Sequence, residues 1–222
     1  MKLKRHWLVT CLVALSLFSG CYFNLGSSGV RGSGIVKTES RSVAGFSSIS
    51  FQSEGRVTVQ QTGKESLTIS AEDNLLPLLE SRVADRTLYL GTVNNTDINP
   101  TKTIEFVVEV KSLESLNIKG VGSVDVKDLQ GKRVSVSQDG VGSTAIAGSV
   151  DVLDLTLAGV GSFQGEKLKT KQATVRNSGV GSAVVNVSEQ LDATLSGVGS
   201  VEYIGSPQVK ESVQGVGTVK KR

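Results

Sequence analysis

The chain has 222 residues, 24 Lys and Arg against 21 Asp and Glu, 25 glycines, and only 5 % aromatic residues. His6, Trp7 and Cys11 are the sole His, the sole Trp and one of two Cys, and all lie in the first twenty residues. Removal of that stretch would leave one Cys and no His, which excludes His-based triads, His metal sites and internal disulfides.

The stretch reads as a leader. Met1 to Arg5 is a basic n-region, and Trp7 to Phe18 is an apolar run of about a dozen residues. A helix of that length is too short for a hydrocarbon core of roughly 30 Å. Residues 1–20 are therefore expected to be a signal peptide. It ends Leu17-Phe18-Ser19-Gly20-Cys21, which resembles the lipobox of bacterial lipoproteins. That resemblance implies acylation of Cys21 as the first mature residue, and membrane contact through that lipid. Tyr22, where some lipoproteins carry Asp, implies sorting to the outer membrane. Loss of Lys2, Lys4 and Arg5 leaves the mature chain balanced in charge, so no nucleic-acid partner is expected.

Residues 21–41 are rich in Gly and Ser and read as a lipidated flexible tether reaching roughly 20–25 Å. A β-solenoid domain is expected over 42–222, with irregular first turns and a cap over 42–115. Phe46–Phe51, Val57–Val59, Leu67–Ile69, Leu88–Leu90 and Ile104–Val110 have strand character. Asn74 to Glu80 is a short helical candidate with Asp73 or Asn74 as N-cap. Residues 92–103 read as a polar loop.

The remainder, 116–222, holds six copies of one turn. They are Gly120-Val121-Gly122, Gly140-Val141-Gly142, Gly159-Val160-Gly161, Gly179-Val180-Gly181, Gly197-Val198-Gly199 and Gly215-Val216-Gly217. Ser follows each of the first five and Thr the sixth. Periods near 20 residues indicate a solenoid. The flanks alternate apolar and polar, as in Leu116-Asn117-Ile118 and Leu153-Asp154-Leu155-Thr156-Leu157, which is the period of a strand. Stacked rungs about 4.8 Å apart would extend six copies about 24 Å.

Apolar residues fall mainly four and two places before the first Gly of a copy, as at Leu116 and Ile118 or Leu155 and Leu157, then one, four and six places after it, as at Val121, Val124 and Val126. This apparent change of parity predicts a bend at Gly-Val-Gly, with each Val pointing inward onto the Val of the next rung. The Ser or Thr would form an outer file or bond the corner backbone. A phosphate-binding reading of the glycines fails, because no Gly-Lys-Ser/Thr and no helix follow. A repeated Ca²⁺ loop lacks its fixed Asp. No cofactor or metal is expected. At the C-terminal end, Lys220, Lys221 and Arg222 would discourage edge pairing.

Arg41-Ser42-Val43-Ala44-Gly45-Phe46, Val57-Thr58-Val59, Asn74-Leu75-Leu76, Leu88-Tyr89-Leu90 and the glycine copies together resemble the auto-transporter adhesin head GIN domain family over about residues 42–219. The resemblance implies a single-stranded, right-handed parallel β-helix in a secreted or lipid-anchored envelope protein of bacteria, with no established activity. No segment after Gly217 has the length of a membrane barrel, so lipid anchoring is expected to replace it.

The expected function is a non-catalytic, adhesin-like envelope module presenting an extended face to glycan or protein. Association between copies through the solenoid sides or ends is a further expectation. The alternative is a polysaccharide-processing enzyme using carboxylates and lysine among Asp125, Asp139, Asp151, Asp154, Glu166 and Lys167. The spacing of these residues equally fits the solvated face of alternating strands, and connections between copies are too short to build a cleft.

Overall fold

The computed structural model describes residues 29–222; the leader and Cys21 lie outside them. From the N-terminal side run β1 (Val30–Arg31), β2 (Val36–Arg41), β3 (Ser48–Phe51), β4 (Glu54–Gln61) and β5 (Ser66–Glu72). A one-turn 3₁₀ helix at Leu76–Leu78 leads to β6 (Leu79–Ala84) and β7 (Thr87–Thr92). A second such turn at Val93–Asn95 leads to β8 (Ile98–Asn99), β9 (Glu105–Val110) and β10 (Ser115–Ile118). The repeat supplies β11 (Val121–Gln138), β12 (Val141–Leu157), β13 (Val160–Asn177) and β14 (Val180–Leu195). The chain closes with β15 (Val198–Ile204), β16 (Gln208–Val213) and β17 (Val216–Lys221).

The repeat is a parallel β-solenoid. β11, β12, β13 and β14 are each nearly a whole coil, and each pairs in parallel with the next. The copies stack in register: Val121 faces Val141, then Val160, Val180, Val198 and Val216 in succession. Inside, single-residue ladders fill the core. One runs Ile49, Leu116, Val136, Leu155, Val175 and Ala193. All six are at most 1 % exposed, as expected of a packed apolar interior.

The expected inward Val stack is overturned. The six corner valines are 49–73 % exposed. The parity never changes: Leu116, Ile118, Gly120, Val124 and Val126 are all inward and all at even positions. The inward slot at the corner belongs to the first glycine, and the valine beside it points out. The glycines are there because coils approach too closely for a side chain. A Cβ at Gly140 would fall on the Gly120 carbonyl oxygen, and one at Gly142 on that of Gly122. The second glycine also has φ of +143° to +156° in five copies, a region closed to L side chains.

Ahead of the repeat the stacking order departs from chain order. β3 and β4 form a coil paired with β10 and β11. Its Glu54-Gly55-Arg56 is aligned with Val121-Gly122-Ser123, so it is a further copy of the corner that retains one glycine. Residues 62–114 then leave the stack and return beneath it. β7 pairs with β3, and β9 with β4, as an outer coil. Antiparallel strands seal that coil: β6 on β7, β5 on β9, and β2 on β5. The Arg41 guanidinium links the two sealing edges, donating to the Leu76 and Leu79 carbonyls at 2.8 and 2.5 Å.

Three further expectations are corrected here. Residues 30–31 and 36–41, read as tether, are the strands β1 and β2. Glu72 explains the order, because its buried carboxylate accepts from Gly34 N at 2.6 Å, Thr101 N at 2.8 Å and Thr101 Oγ1 at 2.5 Å. The helix expected over 74–80 is only the Leu76–Leu78 turn, with Leu75 at its N-cap position and no side-chain cap. The candidate caps act elsewhere: Asp73 accepts from Ser33 Oγ at 2.6 Å and Asn74 Oδ1 from Ser33 N at 2.9 Å. The polar span 92–103 holds β8, which pairs in parallel with β1.

Candidate functional surface

Turning the valines outward creates a surface. The second glycines form a floor running along the stack. The corner valines form one wall, and Ser123, Ser143, Ser162, Ser182, Ser200 and Thr218 form the other. Over the first three coils this is an open groove of about 700 Å³. Among its lining residues Arg56 carries the one charge, at the end nearest the cap. The Ser123, Ser143 and Ser162 hydroxyls have no protein partner, whereas those of Ser182 and Ser200 lie 3.3 Å apart. Glu54, at the head of the valine wall, has its carboxyl pushed up by burial. The site glycines of all six copies are thus the floor and corner of one continuous face.

The carboxylates and lysine considered for catalysis are mostly scattered. Asp125, Glu166 and Lys167 share a hollow of about 260 Å³, in which one Glu166 carboxylate oxygen is buried without a partner. Asp151 is bound to Lys171 at 2.8 Å, which holds the Lys171 ammonium above its usual value. Asp154 is ion-paired with Arg133. Asp139 stands exposed beside a corner, 3.5 Å from the Ser137 hydroxyl. No group of three potential metal ligands occurs among the described residues, and no helix among them is long and apolar enough to cross a membrane.

The coils, the sealed end and the repeated corner define an all-β solenoid of about five turns. The chain belongs to the family described as "Putative auto-transporter adhesin, head GIN domain", whose pattern matches residues 45–207. A solved structure named as a "putative adhesin" from Bacteroides fragilis NCTC 9343 is similar at 27 % identity and a TM-score of 0.73. The match covers 87 % of this chain and 100 % of that one. A "putative lipid binding protein" from Parabacteroides distasonis ATCC 8503 has the same fold at 21 % identity and a TM-score of 0.54, over 87 % and 99 % of the two chains. A "putative adhesin" from Parabacteroides merdae ATCC 43184 matches at 20 % identity and 0.50, with the same coverage. No curated protein sequence matches the chain.

Proposed function

We propose that this is a non-catalytic, adhesin-like lipoprotein of the bacterial outer membrane, held by lipid on Cys21 and presenting its solenoid face to glycan or protein. The observation that carries the reading is the corner face itself, one chemistry repeated in register over six coils. Repetition of this kind suits an extended partner rather than a single small substrate. The scatter of Asp125, Asp139, Asp151 and Asp154, two of them committed to ion pairs, supports a binding role over a catalytic one. Family membership and the adhesin name of the Bacteroides fragilis neighbour support an envelope location.

Arrays of glycans and envelope proteins probed with the chain test the reading, and binding to neither overturns it. Fractionation of cells carrying Cys21→Ser tests the anchor. Release of the variant from membranes is expected, and retention there would sink the lipid-attachment assignment.

A further inference from the structure

The groove along the corner is a chemical pattern as well as a shape. Its floor has no side chains, one wall is half-exposed valine, and the other is a file of hydroxyls with free valence. Four properties limit what can lie in it. First, Arg56 is the sole charge among the lining residues, so an anionic polymer or nucleic acid finds no complementary field. Second, every strand under the groove from β11 to β14 is already paired on both sides. A peptide therefore cannot add to it by strand augmentation, which needs a free edge. Third, six half-exposed valines offer only a few hundred Å², short of the about 800 Å² per partner that a stable complex buries. A second copy of the chain is thus a poor occupant. Fourth, an acyl chain would set its methylenes against the hydroxyl wall and leave those hydroxyls unpaired.

We propose that this groove binds a neutral, linear glycan lying along the stacking axis, with about one sugar ring to each 4.8 Å coil. The inference rests on the adhesin-like reading above and gives it a site and a ligand class. An uncharged sugar ring has an apolar C–H face and a hydroxyl edge. The valines take the face, and Ser123, Ser143 and Ser162 exchange hydrogen bonds with the edge. The bare glycine floor lets the chain approach the backbone.

The test uses the full chain in detergent and an array of unsubstituted glucan, chitin, mannan and arabinan oligomers, beside uronic-acid and sulfated glycans, envelope proteins and anionic lipid vesicles. Two double variants accompany it, Ser143→Ala with Ser162→Ala, and Val141→Ala with Val160→Ala. The valines are exposed and the serines half-buried, and a thermal melt verifies that each variant still folds. Binding to neutral oligomers is expected, tightening with oligomer length and weakened about tenfold by either double variant. Neutral-glycan binding untouched by both variants overturns the groove and leaves the adhesin reading standing. Binding only to charged glycans, proteins or vesicles overturns the ligand class. Binding to no glycan and no protein overturns both.

Discussion

Inside the coil that begins at Val121, Gln138 stands between Ile118 and Leu157 of the adjacent coils, and Thr144 Oγ1 donates to its Oε1 at 2.9 Å. The Gln138 amide in turn donates to the Gly142 carbonyl at 2.9 Å. Two buried polar side chains, each in a slot where neighbouring coils carry apolar residues, therefore satisfy one another and the corner. Thr144→Val alone should leave Oε1 orphaned and cost about 1–3 kcal/mol. The double variant Gln138→Leu with Thr144→Val should recover most of that loss. A double-mutant cycle by urea unfolding measures the coupling.

Asn177 occupies the same slot two coils later without the same support. Its Nδ2 donates to the Gly181 carbonyl at 2.9 Å, but its Oδ1 is buried with no partner, and Ala183 stands where Thr144 stood. The slot holds Leu157 and Leu195 in the adjacent coils. Asn177→Leu should therefore stabilise the fold by about 1 kcal/mol. A higher urea midpoint would show it, and a lower one would mean that the Gly181 contact is worth more than the orphaned oxygen costs.

The corner makes a paired prediction. Val160→Asp changes an exposed side chain and should move stability by less than about 1 kcal/mol. Gly161→Ala puts a Cβ on the Gly142 carbonyl at a backbone angle alanine avoids, and should cost about 3 kcal/mol or more. Thermal melts of the two variants should differ widely; equal losses would return the valine to the core.

Acid should loosen the sealed end. Burial pushes the Glu72 carboxyl up, but hydrogen bonds from Thr101, Gly34 and Lys102 outweigh it and leave the group below its ordinary value. A carboxyl depressed on folding contributes stability that is fully present above the ordinary carboxylate range. That contribution disappears as pH falls through the folded value. Urea midpoints of wild type and Glu72→Gln should differ at neutral pH and converge as acid is added. A gap that does not change with pH would show that the Glu72 charge is not what stabilises this end.

The last coil bears its own stop. Glu211 continues the ladder that ends in Ala193, and Lys221 the one that contains Tyr203, so charges occupy two slots filled by apolar residues in nearby coils. Inward charge on an edge strand hinders the docking of another strand. Glu211→Val with Lys221→Val should produce concentration-dependent association, read by analytical ultracentrifugation. A variant that stays monomeric would locate the protection elsewhere.

Much of the fold was legible in the sequence because the corner repeats by letter. Six near-identical Gly-Val-Gly copies at even spacing left little but a solenoid to consider. The direction of Val160 and its equivalents was not legible. Counting apolar letters assigns no facing to glycine, so Gly120 and Gly140 carry no inward signal and the apolar pattern alone shows a change of parity. The corner at Glu54-Gly55-Arg56 escaped for a related reason, since it retains one glycine and neither neighbour. The strand β2 carries no apolar alternation. Its place depends on backbone pairing with β5 and on Glu72 fastening the segment before it, neither of which local composition reports. The groove is half legible: the serine file is apparent in the letters, whereas a repeated valine reads as core.

The two ends of the stack are unlike in what they permit. Near the N-terminal side, residues 87–110 pass beneath the coil of 48–61, so a turn inserted there would break a reversal of stacking order. From β11 to β14 each coil meets its neighbours through the same in-register corner, so whole copies can be gained or lost with the corner register kept. Each such change would alter the distance between the sealed base and the far tip by about 4.8 Å. The repeat is in that sense a ruler, and the number of its divisions sets how far from its base this protein can reach.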